Sequence, residues 1–255
     1  MEQFVNFSMG RSITYYFLDF EEDDVRLLAQ NISLWSTPHL FPFYGLFSLP
    51  DLPQRVFVIN VDAGIEKISG WWDRCAAIAA PMISRADFDL FCTGFLNSPG
   101  AAAQQAFDVI LVKRSLLSSQ WMPGLLFATL SHETIHLFEQ YRCDNQTFCA
   151  LLPPEDARPG YKAALLYNLA AAVAALPQPP DANAVQYLNH SRDYMEYEEE
   201  MLTTAVELTV MAMLGGHDLE ALRPVFEADL DAAIAILRDN GLLPRPAPAV
   251  QRVER

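Results

Sequence analysis

His132-Glu133-Thr134-Ile135-His136, set among Leu125, Leu126, Phe127, Leu130, Leu137, Phe138 and Tyr141, is the stretch on which the reading of this chain turns. Its apolar residues recur at helical spacing from Pro123, a residue suited to a first turn, to about Arg142, so a helix is predicted there. On a helix, positions i and i+4 share one face, and His132 and His136 can offer two imidazole nitrogens to one Zn²⁺. Glu133 stands beside that face without being a ligand. A glutamate so placed polarises or deprotonates a zinc-activated water, which is metallohydrolase chemistry. The bland alternative makes His132 a satisfied core histidine and His136 a surface one.

The surroundings favour the first reading. Phe107-Asp108-Val109-Ile110-Leu111-Val112-Lys113 is short, apolar and β-branched, so a strand is predicted just upstream, followed by a turn over Ser115 to Gln120. A zinc site that works on a substrate needs a third protein ligand and an open position. Downstream, residues 194–208 carry a second helical pattern with a carboxylate cluster at its start: Glu196, Glu198, Glu199 and Glu200. Glu196, Glu200, Thr203 or Thr204, and Glu207 fall on one polar stripe. A ligand with a second carboxylate one turn later suits zinc, because the second holds the free N–H of a bound histidine. That logic puts the ligand at Glu196 and its support at Glu200. An acidic patch that merely complements a helix dipole is the competing account.

The HExxH pentapeptide followed sixty residues later by Glu196-Tyr197-Glu198-Glu199-Glu200 resembles the gluzincin group of zinc metallopeptidases, in which a glutamate on a later helix completes the site. Several such families carry Glu-x-x-Ala-Asp/Glu there. The match implies Glu196 as ligand and Glu200 behind it, although Glu199 stands where alanine is usual. Glu199, Glu200 and Glu198 remain alternative ligands, in that order, and His190 or His217 could supply a third imidazole instead. His39 has no partner at ligand spacing. The resemblance covers about 100 residues, from Phe107 to Leu214, and residues 1–100 match nothing. It implies an α+β, zincin-like fold: a small mixed sheet over the HExxH helix, an edge strand able to bind extended substrate, and a largely helical C-terminal half. A tyrosine as oxyanion donor is also implied, with Tyr194 the candidate and Tyr187 and His190 nearby.

Composition bounds the rest. A chain of 255 residues, 51% hydrophobic and 19% charged, can bury a substantial core, and residues 1–241 read as one domain with a proline-rich tail over 242–255. The net charge of −15, with no local basic face, argues against nucleic acid. The apolar stretches near Cys75 to Met82 and Ala163 to Leu176 are too short to span a bilayer. No basic start precedes an apolar segment at the N-terminus, so a cytoplasmic protein is expected, with signal-less export compatible. Cys75, Cys92, Cys143 and Cys149 contain no CxxC pair; Cys143 and Cys149 could close a loop, but free thiols are expected in a reducing compartment.

Further elements are predicted coarsely. Strands are expected about Ile13 to Leu18, Arg55 to Val61 and Phe88 to Phe95; helices over Glu21 to Asn31, Trp71 to Ile83 broken by Pro81, Tyr161 to Leu176, and Pro224 to Asp239. The functional expectation is one Zn²⁺ per chain and hydrolysis of a peptide or protein substrate, with Glu133 as general base. A catalytically inactive zincin-like binding module and a helical interaction protein with a chance HExxH are the alternatives.

Overall fold

β1 (Gln3–Ser8) and β2 (Ser12–Leu18) pair antiparallel, helix α1 (Glu22–Asn31) follows, and β3 (Arg55–Asn60) runs parallel to β2. Helices α2 (Ile68–Ile78) and α3 (Arg85–Leu96) lead to the antiparallel pair β4 (Ala103–Ala106) and β5 (Val109–Val112). β5 enters parallel to β3, so the mixed five-stranded sheet has the order β1-β2-β3-β5-β4. Helices α4 (Leu125–Arg142), α5 (Ala182–Tyr194) and α6 (Met201–Leu214) complete the α+β description. This computed structural model describes residues 3–8, 12–36, 54–117, 124–142, 182–194, 197 and 200–215.

Val56 to Ile59 of β3 and the whole of β5 are apolar and buried at consecutive positions because helices cover both faces of the sheet. Successive side chains of a strand point to opposite faces. Val56, Val58, Ile110 and Val112 accordingly join one core with Val25, Leu28 and Trp35 and the buried residues of α4 and α6. Phe57, Ile59, Val109 and Leu111 join a second core with Trp71, Cys75, Phe88, Cys92 and Phe95 of α2 and α3. The sheet is thus the middle of three layers. α6 is buried at every residue from Met201 to Ala212, so its polar residues Thr203, Thr204, Glu207 and Thr209 lie inside the protein with its apolar ones. Among the described residues, no helix is long and apolar enough to cross a membrane.

Four sequence expectations need correction. Phe88 to Phe95 is not a strand but part of α3, whose buried residues Phe88, Cys92 and Phe95 repeat at helical spacing. Ser84 starts that helix, its hydroxyl accepting from the Asp87 amide. The predicted Phe107 to Lys113 strand is shorter: Phe107 takes a left-handed φ of 52° in the turn between β4 and β5. α2 begins at Ile68 and stops at Ile78, before Pro81. The downstream helix does not start at Tyr194, where α5 ends, but at Met201. The helices expected over 161–176 and 224–239, the tail, Pro123, His39, His217, Cys143 and Cys149 lie outside the described residues.

Candidate metal centre

The rotation of α4 about its axis is set from the sheet side. Ser131 accepts a 2.9 Å hydrogen bond from the Trp35 indole N–H and donates to the Phe127 carbonyl. The Thr134 hydroxyl donates to the Leu130 carbonyl, so the Tyr15 hydroxyl, 3.4 Å away, is the donor between that pair. Trp35 also stacks on Phe127 at 5.6 Å. With Ser131 and Thr134 turned toward the sheet, helical geometry turns His132 and His136 the other way, toward α6.

α6 lies antiparallel to α4. Glu200, at its N-terminus, meets His136; Thr129 donates to Glu207 at 3.2 Å; and Leu214 packs against Gly124. Gly124 is required there, because its φ is +85° and a Cβ would lie 2.3 Å from Leu214 Cδ1. The close approach brings Glu200 Oε2 to 3.2 Å from His132 Nε2 and 3.3 Å from His136 Nε2, while the two Nε2 atoms are 3.0 Å apart. On the far side of each ring, Glu207 Oε2 lies 3.2 Å from His132 Nδ1 and Glu139 Oε2 lies 3.3 Å from His136 Nδ1. The His132–Glu207 approach is an ion-pair contact rather than an aligned hydrogen bond.

These distances test whether the residues suit an ion. With zinc bonds of about 2.0–2.1 Å to N or O, tetrahedral ligand atoms sit roughly 3.3 Å from one another. The three donor atoms fall close to that spacing, and all lie within 4.8 Å of each other. Two nitrogens and one carboxylate oxygen match the donor types zinc takes in sites that keep a fourth position open. The residues fit the metal.

Electrostatics point the same way. Burial alone would discharge His132, yet the Glu200 and Glu207 carboxylates hold its pKa well above the ordinary histidine value. Burial is likewise outweighed at His136, where Glu139 and Glu200 bring the pKa to about 9. Burial opposes a charged Glu200 as well, but contact with both rings holds its carboxyl far below the usual range. Glu133 is 6% exposed, and burial pushes its carboxyl up despite the neighbouring histidines. A concentration of carboxylates around two imidazoles calls for positive charge, which either protons or a divalent cation supply.

Glu200, given the supporting role in the sequence reading, is therefore the carboxylate that meets both imidazoles. Glu196, read as the ligand, lies outside the described residues, as do Glu198 and Glu199. Tyr194 half-faces solvent at the end of α5, its ring 4.1 Å from that of His190 and 5.9 Å from that of Tyr197. Burial raises its phenol, and the charges of Glu200, Tyr197 and Glu133 raise it further, which puts Tyr194 within the field of the cluster. His190 is exposed and is not among the converging donors. Sequence reasoning assigned nothing to Glu139 or Glu207. The available signals were spacing alone: Glu139 three residues past His136, and Glu207 two turns past Glu200.

No protein-family model matches this chain, and neither a curated protein nor a solved structure matches it.

Proposed function

We propose that this protein is a zinc metallopeptidase of the gluzincin type, with His132, His136 and Glu200 as the ligands of one Zn²⁺ and Glu133 as the general base. One observation carries the reading: a single carboxylate oxygen of Glu200 lies 3.2 and 3.3 Å from the Nε2 atoms of both HExxH histidines. His132 and His136 sit on α4 and Glu200 immediately precedes α6, two antiparallel helices whose apolar side chains share one core, so the donor set is supported by packed helices.

The bound ion supplies Lewis acidity to a water and to the scissile carbonyl. Glu133 takes a proton from that water as its oxygen bonds to the carbonyl carbon, and returns the proton to the nitrogen as the C–N bond breaks. Burial raises the Glu133 carboxyl above the ordinary value, the direction that favours a group accepting a proton. Tyr194 is kept as the oxyanion-donor candidate on the resemblance to gluzincins. The substrate class is a peptide or protein.

Metal content decides the matter. Protein prepared without a histidine tag is expected to hold one equivalent of zinc by plasma mass spectrometry, lost in His136→Ala and Glu200→Ala and kept in Glu196→Ala. A Glu196→Ala protein that loses zinc while Glu200→Ala keeps it restores the original register. Wild-type protein that takes up no zinc when supplied with it sinks the metallopeptidase reading. Zinc binding without cleavage of any member of a diverse peptide library leaves the inactive binding module as the better account.

A further inference from the structure

The geometry points to Glu139 and Glu207 as positioning residues, one carboxylate for each zinc-binding imidazole, an inference that rests on the metal reading above. Both rings turn Nε2 toward Glu200, so a ring able to bind metal must carry its one proton on Nδ1. At each Nδ1 stands a carboxylate oxygen: Glu139 Oε2 at 3.3 Å for His136 and Glu207 Oε2 at 3.2 Å for His132. A carboxylate there favours the Nδ1–H tautomer and makes Nε2 a stronger donor, Glu139 through a hydrogen bond to His136 and Glu207 through the closeness of its charge to His132.

Burial argues that these contacts are built. Glu139 is 1% exposed and Glu207 8%, and a buried carboxylate is costly unless donors meet it. Glu207 is fixed in turn by Thr129, whose hydroxyl donates to its other oxygen, Oε1, at 3.2 Å. The path from Thr129 to Glu207 to His132 leaves α4, crosses to α6 and returns to α4. Glu139 instead acts within α4, one turn past its own histidine.

The two roles have different origins, and neither follows the spacing that the resemblance implies. The supporting acid is expected four residues after the ligand. Counted from Glu200 that position is Thr204, which carries no charge. Glu207, three residues later, points from the same helix at the outer nitrogen of His132. One placement of α6 thereby delivers both a ligand and the support for a different ligand.

The test uses the full chain carrying Glu139→Gln, Glu207→Gln or Thr129→Val. Three properties are read: the melting temperature of metal-free protein, zinc affinity by competition with a chromophoric chelator, and the ¹⁵N spectrum of the zinc-loaded histidines. Each glutamine variant is expected to bind zinc about 10- to 100-fold more weakly and to lose the Nδ1–H signal of its own ring only. Thr129→Val is expected to weaken zinc less, with the His132 signal alone affected, and it keeps the test decisive should a buried glutamine fail to fold. A role confined to holding the helices together would lower the melting temperature and leave the affinity and ¹⁵N signals of folded protein unchanged, which overturns the inference. Wild type that binds no zinc overturns the metal reading itself, whereas wild type that binds zinc with all three variants equal to it overturns this inference alone.

Discussion

The Trp35 indole N–H donates a 2.9 Å hydrogen bond to Ser131, the residue immediately before His132. A side chain that follows α1 thus sets the rotation of the helix bearing both histidines. Trp35→Phe removes that bond and part of the stack on Phe127, and is expected to cost about 1–3 kcal/mol in denaturant unfolding. Zinc binding should weaken with it; an unchanged unfolding midpoint would remove Trp35 from this role.

On the proposed function, Glu133→Gln preserves the shape of the site and removes the group assigned to accept the proton. Zinc content should match wild type, while peptide hydrolysis drops by about 10²- to 10⁴-fold. Hydrolysis at the wild-type rate would show that another group is the base.

Gly124→Ala meets two obstacles: a left-handed φ of +85° and Leu214 Cδ1 at 2.3 Å from the new methyl group. A loss of about 1–3 kcal/mol is expected. Pairing it with Leu214→Ala should recover the steric part and leave the backbone part, so a double-mutant cycle separates them. Additive losses in that cycle would mean that the contact contributes nothing.

Asp108, in the β4–β5 turn, is fully buried, accepting from the Met82 amide, with Arg55 3.9 Å away. Burial raises its carboxyl above the ordinary value, more than the Met82 and Asp108 amides and Arg55 lower it. The folded chain therefore holds this proton more tightly than the unfolded chain does. Its contribution is fully present below about pH 4 and is lost as pH rises through the folded value. Urea midpoints measured across that range should fall more steeply in wild type than in Asp108→Asn; parallel curves would contradict the assignment.

How far the sequence carried these conclusions depended on which periodicity was unambiguous. Val56 to Ile59 and Ile13 to Leu18 are short β-branched or aromatic runs, and both are strands. The motif helix was legible from its long apolar spacing. Phe88 to Phe95 misled because a short aromatic run resembles a strand until Ser84 and Asp87 are recognised as a helix start. The third donor was harder. Four glutamates within five positions look interchangeable when one helix is assumed to run through them, and only the start of α6 at Met201 turns Glu200 toward the histidines. Glu139 and Glu207 were missed for another reason: the carboxylate expected at an outer ring nitrogen was sought one turn past Glu196, at Glu200, whereas Glu207 and Glu139 stand at those nitrogens.

The pairing of α4 with α6 reaches across the chain, Thr129 and Glu207 being 78 residues apart. Long-range contacts of this kind form late, since the entropy of closing so large a loop comes before any reward. A nascent chain that has emerged as far as α4 therefore carries His132, Glu133 and His136 but neither carboxylate from α6. On the proposed function, a ribosome-bound fragment is inert toward its neighbours, and hydrolytic competence arrives only when α6 docks.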